Sequence, residues 1–348
     1  MGRLSIGRRS FVSAAALSVT GLVVTGVRAQ DKLVKSRVAI AVGSRASFHF
    51  LPLMVAQRLG YFAAEGLEVE IHDFGGGLRA LRAVQDGSDE IVGSGFDDLI
   101  SLQARGQFYR AFVLLSRAPQ IAFGVSARAM PGYKKVADLR GRKIGVPMPG
   151  ASANMVASLV LARGGVLPTE VSFVEMATPA AAILAVRSGQ VDAMSYTEPV
   201  MSILEQKGEV RIVSDTRTLK GTQEIFGGPM VAACLYASLG YVQNHPQTTQ
   251  ALTNAVVHAL KWLQTAGPSD LIKVVPDAHL HGDRAVYLGA FNKIREGISV
   301  DGVMPDEGVR TALRAVGRVD RSIQSDKIDM ARLFTNEFSR RAKEKFKA

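Results

Sequence analysis

Apolar and polar residues follow two periods along this chain. Short apolar runs such as 37–42 (Arg-Val-Ala-Ile-Ala-Val) and 143–146 (Lys-Ile-Gly-Val) are too brief for helices and read as buried strands. Between them lie stretches with helical spacing. In order, the pattern predicts a strand at 37–42, a helix at 51–59, a strand at 68–72, a helix at 78–85, a short strand at 90–92, a helix at 98–104 and a strand at 111–115. The alternation returns with strands at 143–146, 171–174, 192–195 and 210–213, separated by helices at 154–162, 180–187 and 200–206. A further apolar strand is expected at 231–235. Strands alternating with helices predict parallel sheets covered by helices, an α/β fold. From about Pro246 the strands stop. Long amphipathic helices follow, including one at 248–264, with Pro246, Pro268, Pro276 and Pro305 as breakers.

The pattern also repeats. The segment 74–94 aligns without gaps on 176–196, matching Ala80 with Ala182, Ala83 with Ala185, Val84 with Val186 and Gly87 with Gly189, and placing Glu90 on Asp192. Each copy reads as loop, helix, glycine, acid, short strand, loop. The separation is too long for a solenoid period. It fits two similar lobes, each using the unit once.

The first 29 residues stand outside this pattern. Arg3, Arg8 and Arg9 precede an uncharged stretch from Phe11 to Val27, and Val27-Arg28-Ala29 has the small residues of a signal-peptidase site. Arg8-Arg9-Ser10-Phe11-Val12 is similar to a twin-arginine signal. An exported protein, cleaved near Ala29, is expected. This changes the meaning of the net charge of +11. Four of those charges (Arg3, Arg8, Arg9, Arg28) lie in the signal. Five more basic residues sit in 340–348 against Glu344 alone, so the folded body is only weakly basic. Basic charge at the two ends is not a nucleic-acid-binding face. The single cysteine, Cys234, cannot form an internal bridge or hold a metal alone. The six histidines show no zinc spacing, and there is no GxSxG elbow and no phosphate-binding GxxxxGK[ST] run. No cofactor, metal or catalytic group is therefore expected.

In open α/β sheets ligands bind beyond the carboxyl ends of strands, where loops lead into helix N-termini. Several such loops here are rich in Gly, Ser and Thr: 44–50, 75–77, 94–97, 150–154, 178–179 and 196–199. Ser152 and Thr197 read as helix N-caps, and Asp97 as the cap of a helix starting at Asp98.

Several runs resemble the periplasmic solute-binding proteins of the nitrate/sulfonate/taurine (NitT/TauT) ABC importers. They are 50–69 (Phe-Leu-Pro-Leu-Met-Val-Ala-Gln-Arg-Leu-Gly-Tyr-Phe-Ala-Ala-Glu-Gly-Leu-Glu-Val), the Gly75–Gly77 loop with 83–87, 137–146, and Gly-Gln-Val-Asp-Ala at 189–193 with Glu198-Pro199. The resemblance covers roughly 37–265. It implies a type II periplasmic-binding-protein fold: two α/β lobes joined by two crossovers, near 117–121 and 226–229, with a ligand cleft between them. Lobe 1 would hold 30–119 and 227–348, and lobe 2 would hold 120–226, with the C-terminal helices packed on lobe 1. It also implies that the ligand is held by Ser47, Phe48, Gly76, Ser94, Gly95, Phe96, Asp97, Ser152, Tyr196, Thr197 and Glu198, with Phe48 and Tyr196 as apolar walls. These loops offer two acids, Asp97 and Glu198, and basic candidates only in Arg45 and Arg117, which argues against a simple inorganic anion.

The function the resemblance implies is capture of a small organic solute (a sulfonate, an aromatic carboxylate or a pyrimidine-like molecule) and delivery to a membrane permease and its ATPase. A periplasmic monomer without nucleic-acid partners is expected. The alternatives are a pyrimidine synthase of thiamine biosynthesis, which needs a cysteine cluster this chain lacks, and a receptor handing its ligand to a sensor.

Overall fold

The computed structural model of the protein describes residues 35–280 and 283–348, so the export signal expected at 1–29 lies outside the described residues. Ten strands form among them: β1 (Arg37–Val42), β2 (Glu68–Asp73), β3 (Ile91–Gly95), β4 (Tyr109–Leu114), β5 (Ile121–Ser126), β6 (Lys143–Val146), β7 (Ser172–Glu175), β8 (Ala193–Thr197), β9 (Val210–Asp215) and β10 (Ala233–Ser238). They make two five-stranded sheets, in the orders β2-β1-β3-β10-β4 and β7-β6-β8-β5-β9. In the first, β1 runs parallel to β2 and β3, and β10 runs antiparallel to β3 and β4. In the second, β6 runs parallel to β7 and β8, and β5 antiparallel to β8 and β9. The chain leaves the first sheet after Leu114 and returns after Asp215. Each sheet thus takes one strand, β10 or β5, that arrives by a crossover. This is the type II periplasmic-binding-protein arrangement.

The two lobes are built on one plan. The helix Gly77–Gln85 and β3 occupy the first copy of the sequence repeat; the helix Pro179–Ser188 and β8 occupy the second. Gly87 and Gly189 both take positive φ (83° and 77°) where the chain turns out of the helix, a conformation that L side chains adopt at a cost. The paired acids do the same work. Glu90 accepts the Ala39 N–H in β1 at 2.8 Å, and Asp192 accepts the Lys143 N–H in β6 at 2.8 Å. Each carboxylate ties its strand to the neighbouring parallel strand. The crossover strands also match, since each is bulged against its outer neighbour, at Leu235/Tyr236 and at Phe123/Gly124.

Both faces of the first sheet are covered, which is why β10 is buried from Ala233 to Ala237. Cys234 and Tyr236 face one core, and Leu235 and Ala237 the other. The second core is filled by the helix Pro246–Thr265, whose apolar stripe packs on the helices Leu51–Arg58 and Glu337–Phe346. The C-terminal helices are expected on lobe 1. They also reach lobe 2: Asp306–Val319 packs on both Phe96–Ala104 and Ser152–Arg163, and Arg284–Ile294 packs on Val200–Gln206. Among the described residues no helix is long and apolar enough to cross a membrane.

Candidate functional site

A cavity of about 100 Å³ lies between the two sheets. Its walls come from both lobes. Lobe 1 contributes Ser47, Gly76, Ser94, Gly95 and Asp97; lobe 2 contributes Ser152, Tyr196, Thr197 and Glu198. The helices Gly77–Gln85, Phe96–Ala104, Ser152–Arg163 and Pro179–Ser188 all start at this cavity. Their first-turn N–H groups and positive dipole ends point toward it.

Two of the residues expected to hold the ligand are elsewhere. Phe48 is buried in the core of lobe 1, edge-on to Tyr287 at 4.6 Å, and does not line the cavity. Phe96 is likewise in the core, against Phe334. In both cases the loop reaches the cleft but the aromatic ring turns inward, where burial of its large apolar surface is most favourable. The backbone of Phe48 does reach across: its N–H donates to the Glu198 carbonyl at 3.3 Å. The apolar wall comes instead from Phe50, Met155 and the ring of Tyr196, whose hydroxyl donates to the Met176 carbonyl at 2.9 Å.

A direct link between side chains of the two lobes runs through the centre of the cavity lining. The Ser152 hydroxyl donates to both carboxylate oxygens of Asp97, at 2.8 and 3.0 Å. Neither residue caps a helix as expected. Phe96–Ala104 begins one residue before Asp97, and Ser152–Arg163 begins at Ser152 itself, so both side chains sit in a first turn and are free to meet. Thr197 ends β8 rather than capping a helix. Gly95 is what allows the approach. A Cβ there would collide with the Asp97 carboxylate and the Ser152 hydroxyl.

Asp98 was not foreseen as a cavity residue, yet it lines the cavity beside Asp97. Both are buried, at 8% and 6% exposure. The Ser94 hydroxyl donates to Asp98 at 2.5 Å. Burial, and next the negative charge of Asp97, push the Asp98 carboxyl up to about 8, so it is protonated at neutral pH. Burial also raises Asp97, against the opposing pull of its bond from Ser152. The pair is therefore not doubly ionised at neutral pH. It offers one acceptor and one O–H donor side by side.

Glu198, expected to face a ligand, has a partner already. Its carboxylate is 1% exposed and takes Arg217 Nη1 at 2.7 Å and the Ser202 N–H at 3.1 Å. Arg217 is wholly buried. It holds Asp215 through two bonds, of 2.7 and 2.6 Å, and Glu205 at 2.9 Å. Burial works against the guanidinium charge, but Asp215 and Glu198 outweigh it and raise the Arg217 pKa. Sequence reasoning missed Arg217, and its basic candidates are not in the cavity. Arg45 donates to Gln57, and Arg117 to the Glu296 carbonyl. No lysine or arginine among the described residues lines the cavity. Cys234 is buried, and burial followed by the nearby Asp98 and Asp97 charges raises its thiol far above the usual range, so it is no nucleophile. No group of three or more metal-ligating side chains occurs among the described residues.

This chain matches the NMT1/THI5-like family over residues 47–267, more than half of its length. The chain belongs to the NMT1/THI5-like family. A relative of this NMT1/THI5-like protein, a candidate binding protein of Brucella abortus, is 24% identical over 222 residues; the match covers 63% of this chain and 65% of the relative, less than two thirds of its length. A solved structure from Bordetella bronchiseptica RB50 is 51% identical, covers 91% of this chain and 100% of its own, and superposes with a TM-score of 0.89. The alkanesulfonate-binding protein SsuA from Xanthomonas axonopodis pv. citri, solved with MOPS bound, is 19% identical, with 83% and 95% coverage and a TM-score of 0.66, and so shares the fold. The family match and these structures give the chain its family and its fold.

Proposed function

We propose that this NMT1/THI5-like chain is the extracytoplasmic binding protein of an ABC importer. It captures a small organic solute between its lobes and presents the closed form to a membrane permease. The observation that carries this reading is the cavity itself, walled by both lobes and bridged by the Ser152–Asp97 bond. A two-lobed clamp of this kind closes on its ligand by population shift, to the extent that the ligand binds the closed form better than the open one.

Of the solutes the sequence leaves open, an amine-bearing, pyrimidine-like heterocycle is favoured. The cavity offers Asp97 and Asp98 and no cation, so a sulfonate would be held by helix N-termini and hydroxyls alone. An aminopyrimidine carries a ring-nitrogen acceptor next to an N–H donor. That is the complement of a carboxylic acid beside a carboxylate.

A thermal-shift screen of the mature protein with alkanesulfonates, aromatic carboxylates and aminopyrimidines tests the reading. A ligand at about a hundred times its Kd adds roughly 2.7 kcal/mol to stability, a shift of several degrees. An aminopyrimidine is expected to give that shift. If no member of the panel moves the melting point, capture of solutes of these classes is ruled out for this chain.

A further inference from the structure

The outer edges of the two sheets are treated differently, although the lobes share one plan. β4 and β9 are equivalent: each is the outermost strand beside a bulged crossover strand. In lobe 1 the chain covers this edge with its own C-terminal segment. Ala111 forms a parallel bridge with Phe334, the Thr335 N–H donates to the Ala111 carbonyl at 2.9 Å, and the Leu114 N–H donates to the Gly302 carbonyl at 2.8 Å. Arg110 secures the segment through the carbonyls of Ala331 and Arg332. In lobe 2 no strand or isolated bridge covers β9 among the described residues.

Beside β9 lies a groove of about 690 Å³, separate from the cleft. Ile212, Val213 and Ser214 of β9 form one side, and Val136, Val160 and Ile225 supply further apolar wall. Lys135, Arg163 and Lys220 stand on the rim, exposed, and none of the three forms an ion pair among the described residues. The acids there are Glu224 and Asp215, and Asp215 is already held by Arg217. The β2 edge is guarded by charge, with Glu68, Glu70 and Asp73, whereas β9 has three successive uncharged residues at 212–214, as β7 has at 172–174; the groove with the basic rim lies beside β9.

We infer that β9 and its groove are a docking surface for an extended, acidic segment of a partner protein. The segment adds a strand to β9, as 331–335 partly does to β4, sets alternate apolar side chains into the groove, and pairs its carboxylates with Lys135, Arg163 and Lys220. A second copy of this chain fits poorly, because its own basic rim would be brought against this one.

The test uses a fluorescein-labelled heptapeptide of alternating valine and glutamate, followed by anisotropy. The peptide is expected to bind and to slow amide exchange across 210–215. The double variant Arg163→Glu, Lys220→Glu is expected to weaken it by about tenfold or more. Both positions are exposed, and circular dichroism with a melting curve verifies that the variant folds. N-methylation of alternate peptide nitrogens is expected to abolish binding to the unaltered protein, a readout independent of the variant. The inference is overturned if nothing binds up to about 1 mM, if a valine–lysine peptide binds equally well, if exchange slows elsewhere, or if sedimentation shows a dimer that the double variant abolishes. The cleft reading is untouched by any of these results, since the groove shares no residue with the cleft lining.

Discussion

Arg217 and Asp98 are two buried charges with opposite fates. Arg217 keeps its charge because three carboxylates surround it. Arg217→Met is therefore expected to destabilise the protein by about 3–5 kcal/mol, since Glu198 would be left buried without a counter-ion. Urea unfolding checks this, and a loss under about 1 kcal/mol would show that the network is not structural. Asp98 loses its charge instead. Its folded pKa of about 8 lies above the ordinary value of 3.8, so between those values the folded state holds a proton that the unfolded state releases. Stability then falls as pH rises through that window and levels off above about 8. Asp98→Asn removes the effect. It is expected to match the parent near pH 4 and to melt several degrees higher near pH 8, and thermal melts across that range check it. At this scale the sequence was a partial guide. Asp97 stood out because it follows Ser94-Gly95 in a small-residue loop. Arg217 did not, because its partners Glu198 and Glu205 are distant along the chain and a local pattern carries no sign of burial. Phe48 and Phe96 misled for the same reason: their loops are polar, but the rings turn to a core made by remote helices.

At the level of elements, the repeat was visible as a handful of matched residues, and its meaning came from Glu90 and Asp192. Both bind a backbone N–H of the adjacent strand at the same distance. Glu90→Ala and Asp192→Ala are each expected to cost about 1–2 kcal/mol. The double variant should cost close to the sum, because the sites lie in different lobes and share no partner. Denaturant melts of the three variants check this, and one silent single variant would break the equivalence. The strand and helix periods were legible over most of 37–213, as was the loss of strands after Pro246, but the crossover strand β5 (Ile121–Ser126) was missed. Helix starts were less so. Those of Phe96–Ala104 and Ser152–Arg163 fall one or two residues before the expected positions, with no side-chain cap to mark them. That small offset moves Asp97 and Ser152 from capping roles to the cleft.

Across the whole molecule, the Ser152–Asp97 bond and the Phe48–Glu198 backbone contact hold the lobes together around the cavity. Ser152→Ala removes the first of these and is expected to shift the population toward open forms, read as a larger radius of gyration by solution scattering. An unchanged radius would mean that other contacts set the closure. The type II plan was recognisable from scattered motifs. The ligand chemistry was not, because it depends on which charges are already paired: Glu198 is spent on Arg217, and Asp97 with Asp98 is what remains in the cavity. The most direct measurement is calorimetric titration of the mature protein and its Asp97→Ala variant with an aminopyrimidine and an alkanesulfonate. The account predicts that the aminopyrimidine binds more tightly and loses at least about tenfold in affinity with Asp97→Ala. Tighter binding of the sulfonate, unchanged or improved by the same substitution, would contradict it.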